Sequence, residues 1–176
     1  MTDIPEHKLI FTFPDDMPCS KYDAWSFYRK QLSKLPGGVK AVDIIAVEPK
    51  DINWLIEIKD YRVHRRTKIK DFGEDVALKV RDTLAGLAAA RVNARDTAEK
   101  TIAQQSLSTS RIKVVLHLEQ PSNPSRLNPG INTANMLIKL SQCIKAIDPH
   151  PKIMNKDNIP SHIKWTVSEN SMPSEN

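Results

Sequence analysis

The stretch Asp43-Ile-Ile-Ala-Val-Glu-Pro-Lys-Asp-Ile-Asn-Trp-Leu-Ile-Glu57-Ile-Lys59 constrains this chain more than any other. It reads as a strand over Val39 to Val47, a turn at Pro49-Lys-Asp-Ile-Asn53, and a strand over Trp54 to Lys59. Alternate residues of a strand share a face, so Leu55, Glu57 and Lys59 point one way and Trp54, Ile56 and Ile58 the other. Charged groups inside so apolar a strand are costly unless they are paired or bind a metal. Asp43 must then reach the Glu57 face from the neighbouring strand, at a rim where the ribbon twists or bends.

The surrounding pattern places this hairpin in a layered α/β fold. Leu9-Ile-Phe-Thr-Phe13 reads as a short strand. Ser20 is a candidate cap for a helix over about Lys21 to Leu35, with Trp25, Tyr28, Leu32 and Leu35 at helical spacing. Pro36-Gly37-Gly38 stops it. Val76, Val80, Leu84, Leu87 and Ala88 mark a long helix from about Glu74 to Ala94, with acids at its start and Arg91 and Arg95 near its end. Gly86 and the Ala88-Ala-Ala90 run point to close packing of that helix on a sheet. The polar residues from Asp96 to Ser110 continue the helix, form a short one, or end in a surface loop. Arg111 to Leu118 has the continuous apolar centre of an interior strand. Asn132 or Thr133 caps a helix reaching Ile147, and Pro149 and Pro151 end it. His162 to Val167 reads as a last strand at an edge. We expect one domain over residues 1–168 and a flexible tail over 169–176. Helices and strands alternate as in a mixed α/β layer fold.

Charge narrows the partner. The formal net charge is +5, and Arg62, Arg65, Arg66, Lys68 and Lys70 follow one another with no acid among them. Without these five, the remaining basic residues equal the 21 acidic ones. The excess is a local patch directly after the Glu57/Lys59 strand, which suits a polyanion; a solvated basic loop is the structural alternative. The two cysteines, Cys19 and Cys143, form no Cys-x-x-Cys pair and no disulfide scaffold. No secretory signal or membrane-length apolar run is visible, so a cytoplasmic protein is expected, with no membrane partner. There is no Gly-x-x-x-x-Gly-Lys-Ser/Thr loop, so ATP is not expected. A Gly-x-Ser-x-Gly elbow is also missing.

Two carboxylates and a lysine around a β-ribbon suffice to hold a divalent ion and a water beside a phosphodiester. A hard ion such as Mg²⁺, or Mn²⁺ in its place, takes oxygen ligands and keeps several waters. Asp43 and Glu57 supply two carboxylates, and the Ile58 backbone carbonyl is a candidate third oxygen. Such an ion polarises the phosphate and acidifies a bound water. Lys59 beside that water would orient it, take its proton, or neutralise the phosphorane; the residues alone leave these three roles open. A structural ion pair of Lys59 with Glu57 or Asp43 is the competing reading.

From about Tyr22 to Leu118 the pattern resembles the PD-(D/E)xK phosphodiesterase superfamily. Asp43 stands for its first acidic ligand, and Glu57 and Lys59 for its second ligand and lysine. Val42 stands where many members have proline. Many members also aim an acid from the first helix at the site; this chain offers Asp23 near the start of that helix, and Glu6 farther upstream. The resemblance implies a restriction-endonuclease-like αβββαβ core, a mixed central sheet flanked by helices. It further implies a metal-dependent endonuclease acting on DNA. Water would attack phosphorus in line and the 3′-oxygen would leave, giving 5′-phosphate and 3′-hydroxyl ends. One site cuts one strand, so double-strand cutting would require a homodimer. A relative that has lost cleavage and serves as a nucleic-acid-binding or assembly module is the second expectation.

Phosphates flanking the scissile one would be held by basic groups near the site. Arg62 and Arg65 are the first candidates, followed by Arg66 and Lys68. Lys79, early on the long helix, is a further candidate, although an ion pair with Asp75 accounts for it equally well.

Overall fold

A computed structural model describes residues 1–62, 72–123 and 130–170. Among these, the strands are β1 (Thr2–Glu6), β2 (Leu9–Phe13), β3 (Cys19–Lys21), β4 (Ile44–Glu48), β5 (Ile52–Asp60), β6 (Arg111–Glu119), β7 (Lys152–Met154) and β8 (Thr166–Glu169). The α-helices are α1 (Ser26–Lys30), α2 (Phe72–Asn93), α3 (Thr97–Ser106) and α4 (Thr133–Ile144). A mixed sheet in the order β3-β4-β5-β6-β7 forms the centre, and a smaller antiparallel sheet has the order β1-β2-β8. Strands β3, β4 and β5 run as an antiparallel meander, whereas β5, β6 and β7 are parallel. The architecture is therefore α/β. No described helix is long and apolar enough to cross a membrane.

The two faces of the central sheet bury different partners. Ile45, Val47, Leu55, Val114 and Leu116 pack with Val76, Val80 and Leu87 of α2 and with Leu140 and Ile144 of α4. On the other face, Ile44, Trp54, Ile56, Ile58 and Val115 pack with Leu9, Phe11, Phe13 and Trp165. Strand β5 is thus covered on both sides, and only Lys59 along its length is not buried. Burying the apolar residues of such a strand contributes ~1.5–3 kcal/mol each.

Several local expectations change in tertiary context. The helix expected over 21–35 is broken into a 3-10 turn at Tyr22–Ala24, the short α1, and a second 3-10 turn at Leu32–Lys34. Trp25 takes an extended conformation (ψ 135°) between the first two. Glu99 of α3 stabilises the break by accepting the Ser26 and Phe27 N–H groups at 2.6 and 3.1 Å. These are orphan donors at the start of α1. Ser20 caps no helix; it lies in β3, and its hydroxyl accepts the Trp25 indole N–H at 2.8 Å.

The strand expected from Val39 begins only at Ile44. Residues before it give their N–H groups to α2: Lys40 to Asp82 at 2.9 Å and Val42 to the Thr83 hydroxyl at 3.1 Å. Gly86 does allow close packing, but its neighbour is the broken helical segment. A Cβ there would stand 2.0 Å from the Tyr22 hydroxyl. The polar stretch after Asp96 is mostly α3, capped by the Asp96 carboxylate on the Ala98 and Glu99 N–H groups. Asn132 caps α4.

At the carboxyl end, the boundary between domain and tail moves. Glu169 belongs to β8, which pairs with β2, and the Asn170 N–H donates to the Lys8 carbonyl at 2.8 Å. The flexible tail expected from 169 therefore does not begin there, and residues 171–176 lie outside the described residues. The pairing of β8 depends on β2, more than 150 positions away, which no local pattern reveals.

Candidate functional site

The open end of the β4–β5 hairpin is closed off by one side chain. Asp43, immediately before β4, gives its N–H to the Ile56 carbonyl at 3.1 Å. Its own carbonyl accepts the Tyr22 N–H at 2.8 Å. That carbonyl is thus engaged outside the hairpin, and the Asp43 carboxylate accepts the Ile58 N–H at 2.6 Å. The carboxylate in this way extends the ladder one step past the end of β4. The contact brings Asp43 against the peptide between Glu57 and Ile58; the expected third oxygen, the Ile58 carbonyl, belongs to the next peptide along β5.

Glu57 and Lys59 share the helix-facing side of β5. The Glu57 side chain is fully buried, while that of Lys59 is 27% exposed. Lys59 Nζ lies 2.6 Å from Glu57 Oε1. Lys79 Nζ, from the second turn of α2, lies 2.6 Å from the same oxygen and 4.0 Å from Asp43 Oδ1. Asp43, Glu57, Lys59 and Lys79 therefore converge. Two ammonium groups meet on Oε1, while Glu57 Oε2 is buried and has no hydrogen-bond partner. Other buried side-chain atoms among the described residues share that condition, Asp23 Oδ1 and both Asn53 amide atoms among them; what sets Glu57 apart is that its unpaired oxygen belongs to a carboxylate with two ammonium groups on its other oxygen.

The electrostatics follow from burial. Desolvation pushes the Glu57 carboxyl up to about 7, and the Asp43 charge adds to the shift; Lys79 and Lys59 oppose it without cancelling it. For Lys59, burial acts downward, but Glu57 and Asp43 outweigh it and raise its pKa, so it is held charged. Asp23, in the 3-10 turn before α1, faces the same region. Its carboxyl is raised by burial, with Asp43 and Glu6 adding and Lys21 and Lys79 opposing, and its Oδ1 is buried without a partner. Glu6 is taken up by Lys21 at 2.5 Å. Helix α2 supports the whole arrangement: Lys40 Nζ reaches Asp75 at 2.5 Å, which fixes the chain leading to Asp43.

Could these residues hold a divalent ion? Among the described residues, no group of three or more His, Cys, Asp or Glu side chains is arranged to hold one. Two carboxylates nevertheless fit an ion such as Mg²⁺, which keeps several waters and needs few protein ligands. The free Glu57 Oε2 is the donor such an ion lacks a competitor for, and Lys79 already places one positive charge between the two acids.

The expected phosphate-binding groups fare unevenly. Arg65, Arg66 and Lys68 lie outside the described residues. Arg62 is described, and its guanidinium is occupied: both Asp60 oxygens accept from it at 3.0 and 2.7 Å, and Glu169 is a further partner. Glu119 stands 3.9 Å away. Lys79 pairs with Glu57 rather than standing free beside the site. Neither of the ion pairs foreseen for it or for Lys59 in isolation conveyed that the two lysines share one oxygen. That sharing needs α2 to pack over β5, and a helix position 22 residues downstream carries no local sign of it.

Neither a protein-family model nor a solved structure matches the chain. Among curated proteins, it is similar to a cysteine–tRNA ligase of Neisseria meningitidis serogroup A, 35% identical over 179 aligned positions. The alignment covers 82% of this chain but 26% of that protein, so the chain spans about a quarter of the relative's length.

Proposed function

We propose that this chain is a Mg²⁺-dependent phosphodiesterase that cuts DNA, built on a PD-(D/E)xK-type site. The observation that carries the reading is the convergence of Asp43, Glu57 and Lys59 at one end of β5, with a buried Glu57 oxygen left unpaired. The meander β3-β4-β5, followed by α2 and the parallel β6, supports a restriction-endonuclease-like core. In this chain α1 falls between the first two strands of the meander rather than ahead of them.

Asp43 and Glu57 would hold the ion, which when bound polarises the scissile phosphate and acidifies a water; Mn²⁺ would serve in its place. Lys59 is held as a cation, so its role is to stabilise negative charge on the reacting phosphorus rather than to take a proton. The basic run after β5 would bind flanking phosphates. The likeness to part of a protein named for tRNA agrees with a nucleic-acid partner, and it brings RNA into the test.

One observation favours a second reading. Two lysines and two acids already neutralise one another, as in a site that has kept its fold and given up its chemistry. The chain would then be a nucleic-acid-binding or assembly module.

The test is incubation of the protein with supercoiled, branched and single-stranded DNA and with RNA, in Mg²⁺, Mn²⁺ or EDTA. Asp43→Ala and Lys59→Ala proteins run alongside. Metal-dependent cutting lost in both variants supports the enzyme. Folded protein that binds nucleic acid without cutting it supports the module. Absence of both activities rejects the two readings together.

A further inference from the structure

Lys59 and Lys79 reach Glu57 from different elements and stand in different relations to the two acids. Lys59 lies two residues along the same strand and pairs with Glu57. Lys79 comes from α2, and its ammonium lies between the carboxylates, 2.6 Å from Glu57 and 4.0 Å from Asp43. With Glu57 ionised, the four groups form a neutral quartet. A dication added to it would leave two positive charges uncompensated beside a fully buried carboxylate, which a poorly hydrated site penalises. Removing one ammonium halves that excess.

Lys79 is the one placed to leave. Exposure does not choose between the two lysines, 18% for Lys79 and 27% for Lys59; the neighbouring acceptor does. Asp75 lies one turn back on the same face of α2, the standard position for a helix ion pair. Its carboxylate is bound by Lys40 through Oδ1, so it already stands as an acceptor for ammonium groups at this edge. Lys59 has no such second seat on its own strand.

Resting on the metal-site reading above, we propose that Lys79 is a resident counter-cation between Asp43 and Glu57, and that a divalent ion binds by displacing its ammonium toward Asp75. Lys79 then sets how tightly the site takes metal. It is a positioning residue: it holds the two acids together before the ion arrives and yields to the ion afterwards.

The experiment uses the full chain and Mn²⁺ alone as the probe. Calorimetric titration of the wild type, Lys79→Met and Asp43→Asn gives affinities without reference to cleavage. Lys79→Met should bind Mn²⁺ at least about tenfold more tightly, the equivalent of ~1.4 kcal/mol. Asp43→Asn should bind more weakly than wild type. In parallel, lysine acetylation of the wild type is followed by mass spectrometry. Saturating Mn²⁺ should raise labelling of Lys79 severalfold and leave the exposed Lys34 unchanged. Equal or weaker Mn²⁺ binding by a folded Lys79→Met protein overturns the displacement, although the metal site stands. Unchanged Lys79 labelling overturns it too, and decides the matter if Lys79→Met does not fold. If no variant and no wild-type protein takes up Mn²⁺, the metal-site reading has failed and the displacement with it.

Discussion

Glu57 and Asp60 sit near the end of the same strand, on opposite faces, and each is the centre of a charge cluster. On the helix side, Glu57 meets two lysines through one oxygen and leaves the other unpaired. Its carboxyl is pushed up by burial. On the other side, Asp60 offers both oxygens to Arg62, and its side chain is fully buried. Burial acts upward there as well, but the Arg62 hydrogen bonds and charge outweigh it and lower the Asp60 pKa. Glu119 behaves likewise: burial acts upward, and His117, the Lys156 N–H and Arg62 together bring it down. A planar guanidinium satisfies a carboxylate with two parallel bonds, whereas ammonium groups crowd a single oxygen. The Asp60 cluster is thus complete in itself, and its geometry clips β8 to the end of β5 through Glu169. The Glu57 cluster leaves one buried oxygen unpaired, and it is this oxygen that the proposed metal would use.

The largest effect expected from this contrast is on activity. Lys59→Ala should lower the rate of the proposed metal-dependent cleavage by about 10²–10³-fold, the scale of a lost electrostatic group in an active site, while thermal unfolding changes little. Cleavage that survives the substitution would place Lys59 with the structural ion pairs.

Next comes stability on the opposite face. Arg62→Ala leaves Asp60 buried without its partner and should cost about 3 kcal/mol in denaturant unfolding. A loss well under 1 kcal/mol would mean that the Asp60 cluster is as open to solvent as an ordinary surface pair.

The two faces should also differ in pH dependence. For Glu57, the folded pKa of about 7 exceeds the ordinary carboxylate value of 4.5. The folded protein therefore keeps a proton that the unfolded chain has released, and stability falls as pH rises from about 4.5 to 7. Asp60 has the opposite sign: its folded pKa is below 3.8, so its contribution is present above that value and is lost as pH falls through the folded pKa. Glu57→Gln, measured with chelator present, should reduce the total loss of stability between pH 4.5 and 7 by about 1–3 kcal/mol. An unchanged slope would show that Glu57 does not titrate there.

The smallest effect belongs to the rim. Glu169 is half exposed, and Arg62 keeps Asp60 when it is removed. Glu169→Gln should therefore change the unfolding free energy by less than about 1 kcal/mol. A larger loss would make Glu169 as central to the cluster as Asp60.

Much of this comparison was legible in residue order, and its limits are instructive. The period of two put Glu57 and Lys59 on one face of β5 and Trp54, Ile56 and Ile58 on the other, because strand geometry allows no other arrangement. The same alternation assigns residue 60 to the face of Ile58. The basic run from Arg62 onward, however, reads as one local patch suited to phosphates. Arg62 is instead engaged by Asp60, Glu119 and Glu169, the last of them brought in by β8. The helix expected over 21–35 had the right apolar spacing, yet it is interrupted at Trp25, where Ser20 and Glu99 supply hydrogen bonds from other elements.

By itself, the sequence determined the hairpin, the two long helical segments, the interior strand from Arg111 to Leu118, and the alternation that sets Glu57 and Lys59 on one face of β5. Each of these rests on local periodicity or on the cost of placing charge in an apolar strand, and both are read within a few residues. Tertiary structure alone decided which lysine joins Glu57 from across the fold, which carboxylates claim Arg62, and where the last strand ends. Those outcomes depend on which surfaces meet once the chain has closed, and hydrogen bonds between segments far apart in sequence are selected only at that point.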